Sequence, residues 1–480
     1  MTSNLRTNIT SASQLTATRS ENDSLGPVEL PADVYYGAHT ARAVANFPIT
    51  GRTIGEIPEL VTALAEVKQA AAKANGELGA IPSDVAEAIV AAATDVANGE
   101  LHSEFVVDVI QGGAGTSSNM NANEVLANRA LEILGLPRGE YAKVHPIDHV
   151  NRGQSTNDVY PSALRIALYR TLGGLLEALA HLADTLREKS AEFADVITMG
   201  RTQMQDAVPM TLGLSFGSYA HAVEADLDLL RTVRENLLEV NLGGTAIGTE
   251  LNTVRGYTAL ARQHLAEVTG LPVYTASNLM DATQDTGGFV TISGALKRTA
   301  MKLSKFSNDL RLLSSGPQAG FGDIQLPAMQ AGSSIMPGKV NPVIPEVVSQ
   351  VAFVVAGNDL TITMAAEGGQ LQLNAFEPVL FVKLYESITE LTNAVRVLAD
   401  RCVYGITADS AALEERVHRS AGLATVLSPL IGYSNAAKLA KEAVATGASI
   451  VDLVLREGLV EESVLRAELE PSKLVNPHGN

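Results

Sequence analysis

Five stretches of the sequence place apolar residues at steps of three or four, which is the spacing of one face of an α-helix. Helices of roughly 20 to 30 residues are about 30–45 Å long, so five of them predict an elongated bundle. The flanking residues Leu176, Leu229 and Val397 are also apolar, and they widen the stripe beyond the needs of one bundle core. We therefore expect these helices to be buried against other subunits; one unusually thick monomeric core is the alternative. The five stretches are 164–186, 216–240, 296–313, 347–354 and 381–398.

The chain of 480 residues is too long for one compact core, so two or three domains are expected. Aromatic residues make up only 4% and Trp is absent, which favours close-packed helices over aromatic-rich strands. In the first domain Pro58 opens a predicted helix to about Asn75, and in the last Ser449 and Asp452 resemble a capping box. The predicted segments are a disordered tail over 1–21, a mixed, mainly helical domain over 22–155, a long-helix bundle over 156–404 and a small helical domain over 405–480.

Charge and cysteine content exclude several classes of protein. The net charge of −18 argues against a nucleic-acid or anionic-membrane partner, although a few basic groups in a cleft can still bind an anionic substrate. The single cysteine, Cys402, cannot form an internal disulfide, which indicates a reducing compartment, and we interpret it as a buried apolar residue. No signal peptide and no run of eighteen apolar residues is present, so we expect a cytoplasmic protein.

Four polar, glycine-containing segments interrupt the helical pattern: 112–121, 154–158, 200–206 and 332–342. Each sets hydroxyl and amide side chains beside flexible backbone, which is a set of donors suited to carboxylate oxygens, and the fourth adds the cation of Lys339. The alternative is that these residues only cap helices and form turns, which is their commonest use. Four such segments in one chain favour a binding site for a substrate with two carboxylates, or with one carboxylate and a leaving group.

Two other motifs are weaker. Gly243 and Gly248 are spaced like the glycines of a phosphate loop, but no Lys follows the second glycine and the segment follows a helical pattern. His145 and His149 have the spacing of a metal-binding pair, but Pro146 breaks the helix that would align them. The sequence therefore predicts neither a nucleotide site nor a metal site.

Residues 332–342, Gly-Ser-Ser-Ile-Met-Pro-Gly-Lys-Val-Asn-Pro, resemble the signature of the aspartase/fumarase superfamily. The other three segments resemble its remaining active-site regions in the same order, and the similarity extends from about Asn22 to about Glu462. The resemblance implies an all-α fold of three domains with a central five-helix bundle. It also implies a homotetramer with a twenty-helix core, in which each active site draws on three subunits.

Within this superfamily the sequence is more similar to aspartases than to class II fumarases. The segments that carry this preference are 34–40, 155–157 and 369–374. The resemblance implies a carbon–nitrogen lyase that interconverts L-aspartate with fumarate and ammonia. A class II fumarase and a non-catalytic structural relative are the two alternatives. Glu250 stands where the family usually has a glycine.

The resemblance also implies residue roles. Removing the proton beside the β-carboxylate creates a doubly negative aci-carboxylate, which the protein must stabilise. Ser333 would be the general base, on a flexible loop, with backbone N–H groups and Lys339 favouring its alkoxide. No organic cofactor is implied, because the substrate carboxylate accepts the electrons; activation by a divalent cation away from the active site stays open. The β-carboxylate would be held by Thr116, Ser155, Thr156 and Ser334, the α-carboxylate by Lys339, Asn341 and Thr202, and the amino group by Asn157 and Gln203.

Overall fold

A computed structural model describes residues 17–316, 318–332 and 334–475, and it shows an all-α fold. Within those ranges the strands form only two antiparallel hairpins and one short parallel pair. The strands are β1 (Thr18–Asp23), β2 (Gly26–Pro31), β3 (Ile197–Thr202), β4 (Gln205–Thr211), β5 (Glu239–Val240) and β6 (Tyr274–Thr275). The helices are α1 (Ala38–Asn46), α2 (Pro58–Glu77), α3 (Ser83–Ala97), α4 (Thr116–Ile133), α5 (Thr156–Glu192), α6 (Leu212–Arg234), α7 (Tyr257–Thr269), α8 (Leu279–Gln284), α9 (Gly287–Leu313), α10 (Val343–Glu367), α11 (Glu377–Arg401), α12 (Ser410–Arg419), α13 (Leu423–Ile431), α14 (Tyr433–Thr446), α15 (Ile450–Arg456), α16 (Glu462–Glu468) and α17 (Pro471–Val475).

The five predicted long helices are confirmed as α5, α6, α9, α10 and α11. The prediction was wrong at the end of the second stretch, because α6 ends at Arg234. Leu237 and Val240 lie beyond it, in a 3₁₀ turn and in β5, although both are buried. At Leu237 and Val240 the apolar spacing therefore predicted burial correctly but predicted the wrong backbone conformation.

The chain divides into two compact units, each built from non-contiguous segments. Because these units combine distant segments, they do not test the domain boundaries predicted at 155/156 and 404/405, which stay predictions. The first unit is 1–170, 235–290 and 361–384, and the second is 171–234, 291–360 and 385–480.

In the first unit, α2 packs against both α3 and α7, and α4 packs against α1 and α3. Helix α2 is rich in alanine, and the fully buried Ala63, Ala70 and Ala74 allow its neighbours to approach closely. The N-termini of α4 and α5 lie in this unit and carry two of the four polar segments.

In the second unit, α6, most of α9 and the parts of α5, α10 and α11 that belong to this unit form a closed bundle around a core of buried leucines such as Leu179, Leu230 and Leu310. Side-chain hydrogen bonds join each helix to the next around the ring, in the order α5, α6, α9, α10, α11 and back to α5. These bonds are Arg187–Glu224, Tyr219–Asp309, Ser304–Ser349, Asn358–Ser387 and His181–Asp400.

The disordered tail predicted over 1–21 overlaps with β1, so for Thr18 to Glu21 the structure differs from the prediction. The guanidinium of Arg19 explains the order, because it donates to the carbonyls of Val34 and Tyr36 and pairs with Glu21. These contacts join residues far apart in the sequence, and local composition does not reveal them. Residues 1–16 lie outside the described ranges.

Helix α10 is, among the described residues, the one helix whose length and composition would permit it to cross a membrane. The sequence has no run of eighteen apolar residues there. Its polar side chains contact neighbouring helices of the bundle: Asp359 pairs with Lys297 of α9, and Asn358 bonds to Ser387 of α11. Phe353 and Leu360, seven residues apart on one face of α10, are 65% and 62% exposed.

A buried carboxyl group in the first unit leads to a prediction about stability. Burial raises the pKa of Glu377 to about 8, although Arg165 opposes the shift. A carboxyl whose pKa is higher in the folded state than in the unfolded state contributes stability below its unfolded pKa, and this is lost as the pH rises through about 8. We expect Glu377→Gln to gain stability relative to the wild type between about pH 5 and 8, by up to about 1.4 kcal/mol per pH unit.

Thermal unfolding measured across that pH range checks this expectation. Glu414→Gln, at an exposed position, is the control for the loss of one negative charge. A difference between wild type and Glu377→Gln that does not change with pH would contradict the prediction.

Candidate active site

The first polar segment, 112–121, extends into α4, whose first residue is Thr116. The preceding Gly115 has a φ of 86°, and a Cβ on it would lie 2.3 Å from the Tyr160 ring of α5, so only glycine fits this turn. Thr116 is exposed and donates its hydroxyl hydrogen to the carbonyl of Gly113 at 2.7 Å. The N–H groups of Thr116 and Ser118 donate to the carbonyl of Gly113 and the side chain of Gln111, so it is the positive end of the helix dipole that favours an anion here.

The second polar segment ends at the start of α5. The hydroxyl of Ser155 accepts from the N–H of Asn157 at 3.2 Å, and the N–H of Ser155 donates to Asp158 at 3.0 Å. Ser155 therefore serves as a helix cap, as the alternative interpretation of these residues proposed. Its hydroxyl hydrogen is not used in this cap, so capping and substrate binding are compatible.

Two side chains of the second segment contact other parts of the first unit. Thr156 is buried, and its hydroxyl oxygen accepts from the amide of Asn119 in α4 at 3.1 Å. This bond brings the N-termini of α4 and α5 together. The amide nitrogen of Asn157 donates to the carbonyl of Ala246 at 2.8 Å, which orients its side chain. An amide oxygen held in this way is an acceptor suited to an ammonium group.

The glycine-rich loop after β5 does not have the contacts of a phosphate loop. The N–H groups of Gly243 and Thr245 donate to the carboxylate of Asp158, at 3.0 and 2.9 Å. Burial raises the pKa of Asp158 to about 6, although these bonds oppose the shift. Glu250 has a φ of 57°, a left-handed conformation that glycine adopts most easily, which explains why the family usually has a glycine at this position. The carboxylate of Glu250 accepts a hydrogen bond from Thr258.

The third polar segment forms the β3–β4 hairpin of the second unit, which the sequence analysis did not predict. Thr202 ends β3, and Gln203 and Met204 form a two-residue turn with φ of 51° and 67°. Two positive φ values in succession are typical of a type I′ turn, but the usual Asn-Gly pair is absent, so the turn had no clear sequence signal. Thr202 and Gln203 are exposed at the tip of the hairpin.

Ion pairs to the buried carboxylate of Asp323 and a further hydrogen bond hold this hairpin next to its tip. Arg201 donates to Asp323 at 2.6 Å, and Asp323 also accepts from Arg416 of α12 at 2.7 Å. On the other strand, Asp206 accepts from the hydroxyl of Ser420 at 2.6 Å. The C-terminal helices therefore support the segment that carries Thr202 and Gln203.

The fourth polar segment lies between α9 and α10, also in the second unit. Lys339 and Asn341 line a cavity of about 1070 Å³ together with Arg311 at the end of α9. A Cβ on Gly332 would lie 1.2 Å from the carbonyl oxygen of Lys339, so only glycine fits there. Ser334 is exposed. Ser333, the predicted general base, lies outside the described residues.

The predicted site residues thus fall into four groups, two in each unit, and their roles stay predictions. Hydrogen bonding brings together the two groups of the first unit, at the starts of α4 and α5. The hairpin tip and the loop before α10 are separate segments of the second unit. Asn119 and Asp158, two polar residues of the first unit, make structural hydrogen bonds that were not predicted from the sequence. Both residues lie within the predicted polar segments.

Two candidates from the sequence have local explanations. The Nδ1 atom of His145 accepts from the N–H groups of Ile147 and Asp148, and that of His149 accepts from the N–H of His145. His145 therefore caps the short π-helix at 146–150, and His149 lies within this helix and bonds back to the cap residue. No cluster of three or more potential metal ligands occurs in the parts of the chain that the structure describes. Cys402 is buried as predicted, and burial raises its pKa to about 12.

Comparison with known proteins agrees with the predicted fold and family. The family described as "Lyase" matches residues 26–357, and that described as "Fumarase C C-terminus" matches residues 423–476. The chain is 54% identical to the aspartate ammonia-lyase of Pseudomonas fluorescens over 460 residues, which are 96% of each chain.

Solved structures have the same fold. Fumarate lyase:delta crystallin from Brucella melitensis bound to cobalt matches with a TM-score of 0.94 and 52% identity, over 96% of this chain and 100% of that one. A recombinant class II fumarase from Schistosoma mansoni matches over the same shares with a TM-score of 0.90 and 35% identity. The chain therefore has the fold of a lyase. The chain belongs to the aspartase/fumarase superfamily.

Proposed function

We propose that the protein is an aspartate ammonia-lyase, which converts L-aspartate reversibly into fumarate and ammonia. The observation that carries the proposal is the 54% identity to an aspartate ammonia-lyase along 96% of both chains. The class II fumarase has the same fold but only 35% identity. Fold alone does not separate the two activities, so the comparison of identities and the residues of the site carry the choice.

The reaction requires a base, a site for the charge that develops, and a site for the rest of the substrate. Ser333 removes the proton beside the β-carboxylate. The hydroxyls of Ser155 and Thr156, at the positive end of α5, hold that carboxylate as it gains its second negative charge. Thr116, at the start of α4, joins them when its hydroxyl turns from the carbonyl of Gly113 to the substrate. Ser334 also binds the β-carboxylate. The α-carboxylate is bound by Thr202, Lys339 and Asn341. The amino group is bound by Asn157 and Gln203.

We propose that the active form is a homotetramer in the cytoplasm, with active sites shared between subunits. The exposed apolar face of α10, which includes Phe353 and Leu360, supports burial against further copies of the chain. The four polar segments lie on rigid helices and separate loops, which supports a site assembled from several chains. The acidic composition and the single cysteine are compatible with the cytoplasm.

The test is to add the purified, dialysed protein to L-aspartate and follow the ultraviolet absorbance of fumarate. We expect turnover without any organic cofactor, because the substrate's own carboxylate accepts the electrons. Absence of turnover with every addition would reject the proposed activity. Recovery that requires a nucleotide, pyridoxal phosphate or a flavin would reject the cofactor-free mechanism, whereas stimulation by a divalent cation would be compatible with it.

Gln203 offers a prediction that separates aspartase from fumarase activity. Loss of hydroxide from malate needs a proton donor, whereas the amino group of aspartate already carries its proton at neutral pH. A neutral amide can hydrogen-bond the ammonium group but cannot supply a proton. We expect negligible malate dehydration by the wild type, and continued preference for aspartate in Gln203→His, measured by parallel assays on both substrates.

Gln203→Ala is the companion variant, since it removes the amide without adding a titratable group. If the amide orients the ammonium, kcat/KM should decrease by a factor that corresponds to about 1–2 kcal/mol. An unchanged kcat/KM would mean that Gln203 only fills space, and efficient malate turnover by the wild type would contradict the aspartase assignment.

A further inference from the structure

Lys68 is a buried cation in the first unit that the proposed mechanism does not use. It lies on α2 with 0% of its surface exposed, where lysines are rare unless they are paired. Its ammonium donates to the side-chain oxygens of Asn151, at 2.8 Å, and Gln154, at 2.9 Å. Burial lowers its pKa to about 7, so the charge is held at a cost in free energy. A buried cation that costs free energy to maintain indicates a function in addition to packing.

A chain of hydrogen bonds connects Lys68 to Thr156. The side-chain oxygen of Asn151 accepts from Lys68 and also from the amide nitrogen of Asn119, at 3.2 Å. The same amide nitrogen donates to the hydroxyl oxygen of Thr156 at 3.1 Å. All of these residues belong to the first unit.

The chemistry of each group sets the direction of the bonds. An ammonium has only donors, so Asn151 must present its oxygen to Lys68. Asn119 must then present its NH₂ group to that oxygen, and the hydroxyl of Thr156 accepts from the same NH₂ group. A hydroxyl has one hydrogen, and here that hydrogen remains available to donate to a substrate oxygen.

We propose that Lys68 is a positioning residue that fixes the polarity of this chain, so that the hydroxyl of Thr156 donates to the substrate carboxylate. The proposal deepens the proposed function and rests on it for the contact between Thr156 and substrate. With the ammonium present, a rotated Asn151 would place its NH₂ group against another donor; without it, the amides of Asn151, Asn119 and Asn123 can rotate together by 180°, with loss of the bond from Asn151 to the carbonyl of Gln154. Thr156 would then donate to Asn119 and present a lone pair to the substrate's anionic oxygen.

The neighbouring carboxylate of Asp158 does not account for Lys68. Its bonds are to the backbone N–H groups of Ser155, Gly243 and Thr245, and its charge acts on Lys68 only through space. The hydrogen bonds of Lys68 are instead directed to the segment that leads into α5. This direction favours a role in orienting donors over a role as a counter-charge.

The first experiment is steady-state kinetics of Lys68→Met on L-aspartate. We expect kcat to decrease about 10- to 100-fold with less than about a threefold change in KM, because the lost donor matters most when charge develops. Lys189→Met is the matched control, since Lys189 is also buried and donates to a backbone carbonyl and to Glu192. A similar loss of kcat in both variants would overturn the proposal, because it would indicate a general cost of removing a buried lysine.

A double-mutant cycle asks whether Lys68 acts through Thr156. If it does, Lys68→Met should add less than about a threefold loss in the Thr156→Ala background. Equal losses in the two backgrounds would overturn the proposal. Absence of aspartate turnover by the wild type would instead reject the proposed function, so the two failures are distinguishable.

Asn119→Asp keeps the test decisive if Lys68→Met does not fold. The carboxylate presents only acceptors, so Thr156 would have to donate to it, and the loss in kcat should match that expected for Lys68→Met. Asn123→Asp is its matched control, because Asn123 also donates to Asn151, at 3.2 Å, but makes no bond to Thr156. Equal activities of Asn119→Asp and Asn123→Asp would overturn the proposal.

Discussion

Replacing Ser333 with alanine is expected to reduce kcat by at least about 10²–10⁴-fold, the range for loss of a general base. The proton beside the β-carboxylate is very weakly acidic, so its removal requires both a base and stabilisation of the aci-carboxylate. Alanine removes the base but leaves the donors at the starts of α4 and α5. The variant should therefore remain an assembled tetramer that still binds aspartate, which product-formation assays and ligand-binding measurements can establish.

Ser334→Ala is the matched control for Ser333→Ala, because it removes the same hydroxyl from the next residue of the loop. Its predicted role is to hold the β-carboxylate, so we expect a smaller loss in kcat than for Ser333→Ala. Exchange of the β-hydrogen with solvent deuterium provides a second measurement that does not depend on release of ammonia. Near-normal rates in Ser333→Ala would place the base at another residue.

Mixing two inactive variants, Ser333→Ala and Thr202→Ala, is expected to restore activity after the subunits are dissociated and reassociated. If the loop with Ser333 and the hairpin with Thr202 reach one site from different subunits, some mixed sites contain both intact segments. Random reassociation of equal amounts should leave about a quarter of the sites intact. Activity measured against the mixing ratio checks the expectation, since each variant alone should stay at its own background.

Ser333→Ala mixed with Lys339→Ala is the control for this experiment. Both residues lie in segment 332–342, so one subunit supplies them together, and no mixed site can contain both intact residues. Recovery in the control would indicate chain exchange or contamination. No recovery in verified mixed tetramers of Ser333→Ala and Thr202→Ala would mean that each site is built within one chain.

Features that depend on neighbours along the chain could be predicted from the sequence. The apolar spacing of 164–186 and 381–398 located α5 and α11, because a helix repeats its buried face every three or four residues. The helix start at Pro58 and the cap at Ser449, which accepts from the N–H of Asp452, are likewise local. The four polar segments were identified because they interrupt that spacing, and the family comparisons agree with the signature at 332–342.

Features that depend on partners distant in the sequence were decided only by the tertiary structure. The spacing of apolar residues specifies which face is buried but not what covers it, so the contacts of Arg19 and the burial of Leu237 outside a helix were not predictable. The N–H groups of the glycine-rich loop donate to Asp158, more than eighty residues earlier in the chain. The glycine spacing alone left open that these N–H groups bind a phosphate. Lys68 had no sequence signal, because its partners Asn151 and Gln154 lie more than eighty residues away. A buried polar group must find a hydrogen-bond partner, and packing alone determines which distant residue supplies it.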